Sequence, residues 1–277
     1  MNRLLLAPFL SLSLFLGLQV KAEEPPIKEI SPATATKEHP YVNTLGMKFV
    51  PVPGTKVMFC IHDTRNGDYR KYAEATPGVD DSWKKVGNYK RVVPVSSGED
   101  HPVVCVSWED AKAFCAWLST KEGRSYRLPT DHEWSVAVGI GDQEDPTAVP
   151  AKKNQKIKDV YPWGQDWPPP AGSGNFADSV YKKIDPKESA IEGYTDGYAT
   201  TSPVMSFPPN PLGLYDMAGN VWQWCEDILN PQWNTAVKRG GGWNVADPKR
   251  LLSSFRGDEV RTERVHWATG FRCVLVR

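Results

Sequence analysis

The sequence predicts an α+β fold that is loop-rich and low in regular secondary structure. Its 277 residues include 11 tryptophans, 22 glycines and 24 prolines, a composition typical of folds held by aromatic packing and tight turns. Only two segments carry clear helix signals, and the strand signals are short. Residues from about 142 to 215 are rich in Pro, Gly, Asn and Asp. A loop of that length inside a compact domain needs another source of order, such as bound metal.

The N-terminal residues are predicted to lie outside the domain. A short basic start and an apolar run precede small residues at Val20 and Ala22, the −3 and −1 positions of a signal-peptidase site. We expect a cleaved signal peptide over residues 1–22, with an uncleaved anchor as the alternative. Residues 23–40 are polar, charged and Pro-rich, which predicts a disordered leader. Residues 41–277 then form one domain.

Charge and hydropathy narrow the location and the partners. The formal net charge is zero at pH 7, so no electrostatic argument favours nucleic acid as a partner. No later segment is apolar enough to cross a bilayer, and no transmembrane span is expected after signal cleavage. The sequence therefore predicts a secreted or periplasmic protein, and it leaves the oligomeric state open.

Two helices are predicted from their caps. The first begins after Ser107, carries an acidic first turn and apolar residues at i, i+3, i+4 and i+7, and ends at Gly123. The second begins after Thr130, whose spacing to Glu133 is that of a capping box, and it ends at Gly139. Both segments therefore have a defined start and stop.

Strands are predicted in three places. Residues 47–52 and 56–62 have the pattern of a hairpin around Pro53-Gly54. Residues 101–106 are predicted to form a strand that leads into the first helix. Residues 271–276 alternate loosely and are predicted to form the last strand of the chain.

Seven segments, in order along the chain, resemble the signature motifs of the formylglycine-generating-enzyme, or sulfatase-modifying-factor, family. The resemblance covers residues 43–277 and implies that family's loop-rich α+β architecture, which is distantly related to C-type lectin domains. The matching segments are Asn43–Val50, His101–Ala111, Tyr126–Trp134, Tyr161–Gly164, Gly213–Trp224, Arg239–Trp243 and Gly270–Cys273.

The resemblance implies a first calcium site in the long loop region. The side chains of Asn175 and Asp196 and the backbone carbonyls of Phe176 and Tyr198 stand at the matching positions. Such oxygen ligands suit Ca²⁺, which binds them at about 2.3–2.6 Å. The alternative is that Asn and Asp only form turns here.

A second calcium site is implied less completely. It would use the Asp216 side chain, the carbonyls of Gly219 and Val221, and a carboxylate at the position where this chain has Gln223. Because an amide keeps an oxygen but loses the charge, we expect weaker binding of a divalent ion. A simple turn at Gly219 with a hydrogen-bonding Gln223 is the alternative.

Five cysteines are present in a chain predicted to be exported, so disulfides are chemically allowed. The resemblance implies a disulfide between Cys115 and Cys273, with two buried free thiols as the alternative. A second pair, Cys60 and Cys105, is conceivable from their predicted strands. Cys225 is expected to be a buried thiol.

The catalytic residues of the family are missing. Its members oxidise a substrate cysteine with copper(I) held by two thiolates, a soft-ligand pairing. Residues 242–272 contain no cysteine. The first thiol position aligns with Val245 and the second falls near residues 248–250, while Gly242 replaces the active-site serine. Copper binding and formylglycine-generating activity are therefore not expected.

Some groove residues are retained. Trp222 matches a tryptophan that lines the family's substrate groove, and Arg256 matches a groove arginine; core packing and a surface salt bridge are the respective alternatives. In the same C-terminal segment, Glu259, Glu263 and His266 could act in acid–base roles or be solvated surface residues.

Two functions follow from this reading. The first is a calcium-stabilised binding or accessory protein without catalysis, with a peptide, protein or glycan as ligand. The alternative is a thiol-independent oxidase or other protein-modifying enzyme that uses the same groove. Bound copper or iron, or peptide oxidation, would favour the second.

Overall fold

Short helices and strands separated by long loops make up residues 30–277, which the computed structural model describes. The predicted signal peptide lies outside the described residues. Within them, six α-helices span Asn66–Ala75 (α1), Trp108–Glu122 (α2), Asp131–Val138 (α3), Pro150–Lys153 (α4), Ser179–Ile184 (α5) and Pro248–Leu251 (α6). Single 3-10 turns occupy Ser82–Lys84 and Gly141–Gln143.

Eleven short strands in residues 30–277 form three sheets. They are Tyr41–Val42 (β1), Lys48–Pro51 (β2), Val57–Cys60 (β3), Asn88–Tyr89 (β4), Val93–Pro94 (β5), Tyr126–Arg127 (β6), Trp222–Asn230 (β7), Thr235–Arg239 (β8), Gly257–Val260 (β9), Thr269–Gly270 (β10) and Val274–Val276 (β11). The sheet orders are β1-β2-β3-β11-β6, β10-β7-β8-β9 and β4-β5.

The C-terminal strand completes the first sheet. In β11, Val274 pairs antiparallel with Phe59 of β3 on one side and with Arg127 of β6 on the other. The second sheet is antiparallel except where β10 runs parallel to β7. Strand β11 therefore lies between β3 and β6 and links the N-terminal hairpin to β6 in one sheet.

The two predicted helices and their caps are confirmed. In α2, the Ser107 hydroxyl accepts from the Asp110 amide at 3.1 Å, and the Asp110 carboxylate accepts from the Ser107 amide at 2.9 Å. α3 has the same reciprocal pair between Thr130 and Glu133. The backbone turns left-handed at Gly123, where φ is 62°, a conformation that glycine adopts without steric cost.

The strand predictions are confirmed in part. The hairpin is present as β2 and β3, and the last strand is present as β11. Residues 101–106 are not a strand, because Cys105 adopts a left-handed φ of 56° and interrupts the extended backbone. Helix α1 and the nine-residue strand β7 were not predicted.

Part of the stretch predicted to be a disordered leader belongs to the domain. Among residues 30–40, Ala35 is buried in the main apolar core, and Ile30 packs against that core. Lys37 Nζ donates to the Pro211 carbonyl at 3.3 Å. The prediction of a leader through residue 40 is therefore wrong over residues 30–40, because one small apolar side chain anchors a segment that is polar on average.

Three apolar clusters hold these elements together. The first packs α1 and α2 against the five-stranded sheet, with the Phe114 ring 5.9 Å from Tyr69 and 5.4 Å from Phe271. The second lies under the long loops around Phe176 and Trp243. The third joins α3 to both large sheets. Aromatic packing thus provides the order that the composition predicted.

The cysteines differ from the prediction. All five are buried free thiols, so the predicted Cys115–Cys273 disulfide is not formed. The helix and the strand meet as predicted, but through two thiols: a hydrogen bond with Cys115, together with burial, raises the pKa of the Cys273 thiol. Cys60 and Cys105 lie in different apolar clusters, which argues against a bridge between them.

Candidate functional site

The first predicted calcium site is a buried pocket of oxygen atoms. Asn175 is fully buried, and its Nδ2 donates to the Thr200 carbonyl at 2.8 Å. Its Oδ1 has no hydrogen-bond partner among the described residues. A buried acceptor without a partner costs roughly 1–3 kcal/mol, so this oxygen marks a place where a cation would be stabilised.

Asp196 supplies the second side chain of this site. Its carboxylate oxygens accept from the backbone amides of Phe176 and Tyr198 at 2.8 and 2.9 Å, which brings all four predicted ligand residues together. Burial, with a smaller contribution from nearby Asp178, raises the pKa of Asp196 to about 7. Within residues 30–277 no Lys or Arg forms an ion pair with Asp196. The residues present therefore fit a Ca²⁺ ion.

Glycine is required where the two predicted calcium regions touch. Gly219 has φ of 73°, and a Cβ there would lie 2.2 Å from the Asn175 carbonyl oxygen. The Asn220 amide donates to that same carbonyl at 2.8 Å. Any larger residue at 219 would separate the two loops.

The second predicted calcium site does not fit an ion at Gln223. Its Oε1 accepts from Trp134 Nε1 at 3.0 Å and from Arg272 Nε at 2.9 Å. Its Nε2 donates to the Asp216 carbonyl at 2.6 Å. Gln223 is therefore not available as a cation ligand, because its oxygen is already shared by two donors, one of them positively charged.

Arg272 supplies the positive charge in this second region. Its side chain is fully buried and donates to the Tyr215 carbonyl at 2.6 Å and to Asp63 at 3.3 Å. Asp216 keeps one carboxylate oxygen without a partner among the described residues, and burial raises its pKa to about 6. Val221 is also buried. The Asp216 part of the predicted site is present, whereas the Arg272 guanidinium contacts Gln223 in the other part.

Trp222 and Gly242 do not line an open groove. Trp222 is 3% exposed, and its ring is covered by Lys238 Nζ and by the Arg250 guanidinium, each 5.4 Å from the ring centroid. A Cβ at Gly242 would lie 3.2 Å from Trp222 Cδ1 and 3.2 Å from the Ala268 carbonyl oxygen. The predicted groove is filled here, because cationic side chains cover the tryptophan and the glycine packs against it.

Arg256 is a core residue and not a groove arginine. Its guanidinium lies 3.0 Å from Asp131 Oδ1 and 2.7 Å from Glu144 Oε2, and all three side chains are buried. Arg239 and Lys153 pair with the same Asp131 carboxylate. The prediction was wrong because sequence alone does not show which acids surround an arginine.

The positions that align with the family's two thiols contribute to the structure of this chain. Val245 is buried, and its carbonyl accepts from the Ala177 amide at 3.2 Å, which joins this segment to the loop of the first predicted calcium site. Residues 248–251 form α6. Cys105 lies in the same apolar cluster, but burial raises its pKa to about 12, so its thiol stays protonated at neutral pH and does not replace a copper ligand.

An open cavity borders α6, and Pro248 and Lys249 of this helix are among its lining residues. It has a volume of about 470 Å³ and lies between Tyr161, Trp167, Lys158 and Lys249. The Trp167 side chain is 39% exposed, and its ring centroid is 5.5 Å from that of Tyr161. No local sequence pattern indicates this cavity, because its walls come from segments that meet only in the folded chain.

The fold and these motifs define a loop-rich α+β domain with a pocket of oxygen atoms at Asn175 and Asp196 and a packed interior around Trp222. The protein-family model described as sulfatase-modifying factor enzyme 1-like domain matches residues 38–276. The chain therefore belongs to that family. The chain is 33% identical over 180 residues to the formylglycine-generating enzyme of Thermomonospora curvata, which covers 65% of this chain and 47% of that protein.

Two further comparisons concern a second curated relative and a solved structure. The chain is 38% identical over 146 residues to the "Inactive C-alpha-formylglycine-generating enzyme 2" of Bos taurus, covering 52% of this chain and 39% of that protein. The chain spans about half the length, or less, of these curated relatives. PvdO from Pseudomonas aeruginosa has a similar fold, with a TM-score of 0.56 and 24% identity over 80% of each chain.

Proposed function

We propose that the protein is an exported, calcium-stabilised binding or accessory protein of this family that does not generate formylglycine. One observation carries the proposal: the residues of the catalytic cleft are replaced by a packed interior, whereas the buried oxygen pocket of the first calcium site is intact. The similarity to a relative named as inactive supports it.

Three features of residues 242–256 support the absence of the family's oxidation. The segment contains no thiol. Gly242 leaves no space beside Trp222 for a serine side chain without a shift of its neighbours. Arg256 is buried and its guanidinium is held by Asp131 and Glu144, so it is not available to contact a substrate. Without soft ligands, copper(I) has no site in this segment.

The cavity beside α6 is the surface that we assign to ligand binding. Its aromatic walls, Tyr161 and Trp167, offer flat apolar faces, and Lys158 and Lys249 offer hydrogen-bond donors at the rim. Aromatic rings combined with a few polar groups are typical of sites for small or extended ligands. A peptide, a protein segment or a glycan is the expected ligand class.

Export is the part of the proposal that rests on the N-terminus. Val20 and Ala22 stand at the positions that a signal peptidase reads. Among residues 30–277 there is no helix of sufficient length and apolar character to span a membrane. Expression of the full chain in a bacterial host, followed by N-terminal sequencing, should give a mature chain that starts at Glu23.

The decisive experiment is an oxidation assay. The mature chain, supplied with copper and oxygen, should neither consume oxygen nor change the mass of a cysteine-containing sulfatase-type peptide. The formylglycine-generating enzyme of Thermomonospora curvata serves as the positive control. Peptide oxidation by the mature chain would overturn the proposal in favour of a thiol-independent enzyme.

A further inference from the structure

Three metal-ligating side chains meet at the surface beside β9. They are Glu259, Glu263 and His266, whose ligand atoms all lie within 4.8 Å of one another. His266 Nε2 is 3.2 Å from Glu259 Oε1 and 3.1 Å from Glu263 Oε2. In a tetrahedral site with metal–ligand distances of about 2.0–2.2 Å, adjacent ligand atoms are about 3.3–3.6 Å apart, so two of the spacings need to widen by only about 0.1–0.5 Å to fit around one ion.

The backbone around these side chains is anchored. Glu259 lies in β9 and pairs with Ala236 of β8. The Glu263 amide donates to the Val260 carbonyl at 3.2 Å, and the His266 carbonyl accepts from the Cys105 amide at 3.3 Å. Each ligand therefore projects from a hydrogen-bonded segment, which reduces the entropy cost of assembling a site.

Lys238 holds Glu259 without occupying the oxygen that faces His266. Its Nζ lies 2.7 Å from Glu259 Oε2, whereas His266 approaches Oε1. The carboxylate is thus oriented by one oxygen and free to bind through the other. An outer partner that orients a ligand in this way is a common feature of metal sites.

We propose that Glu259, Glu263 and His266 form a binding site for a divalent transition-metal ion and that this ion is Zn²⁺. One imidazole nitrogen and two carboxylate oxygens suit Zn²⁺ better than Ca²⁺, which prefers oxygen ligands alone. The three side chains are 20%, 46% and 31% exposed in chain order. Three protein ligands at the surface leave a coordination position open to water or to a second ligand.

The site is distinct from the proposed calcium site and does not depend on it. Lys238, which contacts Glu259, also covers the ring of Trp222, so the ion would lie one side chain away from the closed catalytic cleft. In the absence of an ion, a protonated His266 satisfies the same two carboxylates, and contact with Glu259 raises the pKa of His266. Zn²⁺ must therefore displace a proton.

The test is a calorimetric titration of the mature chain with Zn²⁺ at pH 7.5, in saturating Ca²⁺ so that the oxygen pocket does not contribute. We expect one Zn²⁺ per chain. Glu263→Gln and His266→Gln should each weaken binding at least about tenfold. Glu263 is suited to this test because its only ion-pair partner within residues 30–277 is His266, so its replacement should leave the fold unchanged.

His39→Gln is the matched control, because His39 is an exposed histidine far from β9 in sequence; this variant should bind Zn²⁺ as the parent does. Thermal melts without Zn²⁺ confirm that all variants are folded. No binding by the parent would overturn the proposal, and so would binding that both site variants retain. A failed calcium response with intact Zn²⁺ binding would count against the proposed function alone.

Discussion

The oxygen pocket around Asn175 and Asp196 and the segment that replaces the family's catalytic residues, 242–252, pack directly on each other. The Ala177 amide donates to the Val245 carbonyl, and the Trp243 amide donates to the Asn220 carbonyl. The pocket keeps every predicted ligand residue, while the segment keeps none of the catalytic groups.

The difference has a physical reason. Loss of a ligand in the pocket would leave buried oxygens without a partner, which is costly. Loss of a thiol from the segment leaves no such defect, because valine and glycine fill the space with apolar contacts. A thiol site can thus be replaced without disturbing the scaffold that carries it, whereas a change in a buried polar site requires new partners for the oxygens that remain, as Arg272 provides for Gln223.

The largest expected effect concerns the buried ion pairs of Asp131, which belong neither to the oxygen pocket nor to residues 242–252. Asp131→Asn removes the carboxylate shared by Arg239, Arg256 and Lys153. We expect a loss of about 3–5 kcal/mol in the free energy of unfolding, because buried cations lose their counter-ion. Urea denaturation measures it. The exposed pair of Asp81 and Lys84 gives the control: Asp81→Asn should change stability by less than about 0.5 kcal/mol.

The second effect tests the pocket. Removal of Ca²⁺ by a chelator should lower stability by about 2.7 kcal/mol relative to an ion concentration of 100 times Kd, or the melting temperature by roughly 5–10 °C. Asp196→Asn should remove this response. Asp216→Asn should keep it, because Arg272 and Gln223 block the second region. If Asp216→Asn removes the response and Asp196→Asn does not, the assignment of the two sites is reversed.

The third effect tests the substituted segment. Gly242→Ser restores the family's residue but places a Cβ about 3.2 Å from Trp222 and from the Ala268 carbonyl. We expect a destabilisation of about 1–3 kcal/mol from overpacking and no gain of peptide oxidation. A variant that is as stable as the parent would show that the cleft opens readily.

The smallest effect is the pH dependence of the pocket. In chelator, the pKa of about 7 for Asp196 means that the folded chain binds a proton that the unfolded chain releases near its ordinary value. Stability should therefore rise as pH falls from 8 to 6, by at most about 1.4 kcal/mol per unit. Ca²⁺, or Asp196→Asn, should reduce this slope to the smaller part that Asp216 contributes through its own raised pKa of about 6. An unchanged slope in the variant would assign the effect to another group.

Local signals were sufficient for the capped helices and the hairpin. The Ser107 and Thr130 caps act within four residues, so their pattern is readable in the chain itself. The same is not true of Arg256 and Gln223. Their partners, Asp131 and Arg272, lie 125 and 49 residues away, and no local pattern reports such distances.

The sequence by itself determined the family, the α+β class, the two capped helices, the four residues of the oxygen pocket and the absence of thiols from the catalytic segment. Only the tertiary structure decided which charges meet, that cations cover Trp222, that Cys115 and Cys273 face each other as thiols, and that residues 30–40 join the domain. Motifs and caps are properties of neighbouring residues, whereas burial and charge pairing depend on which distant segments pack together.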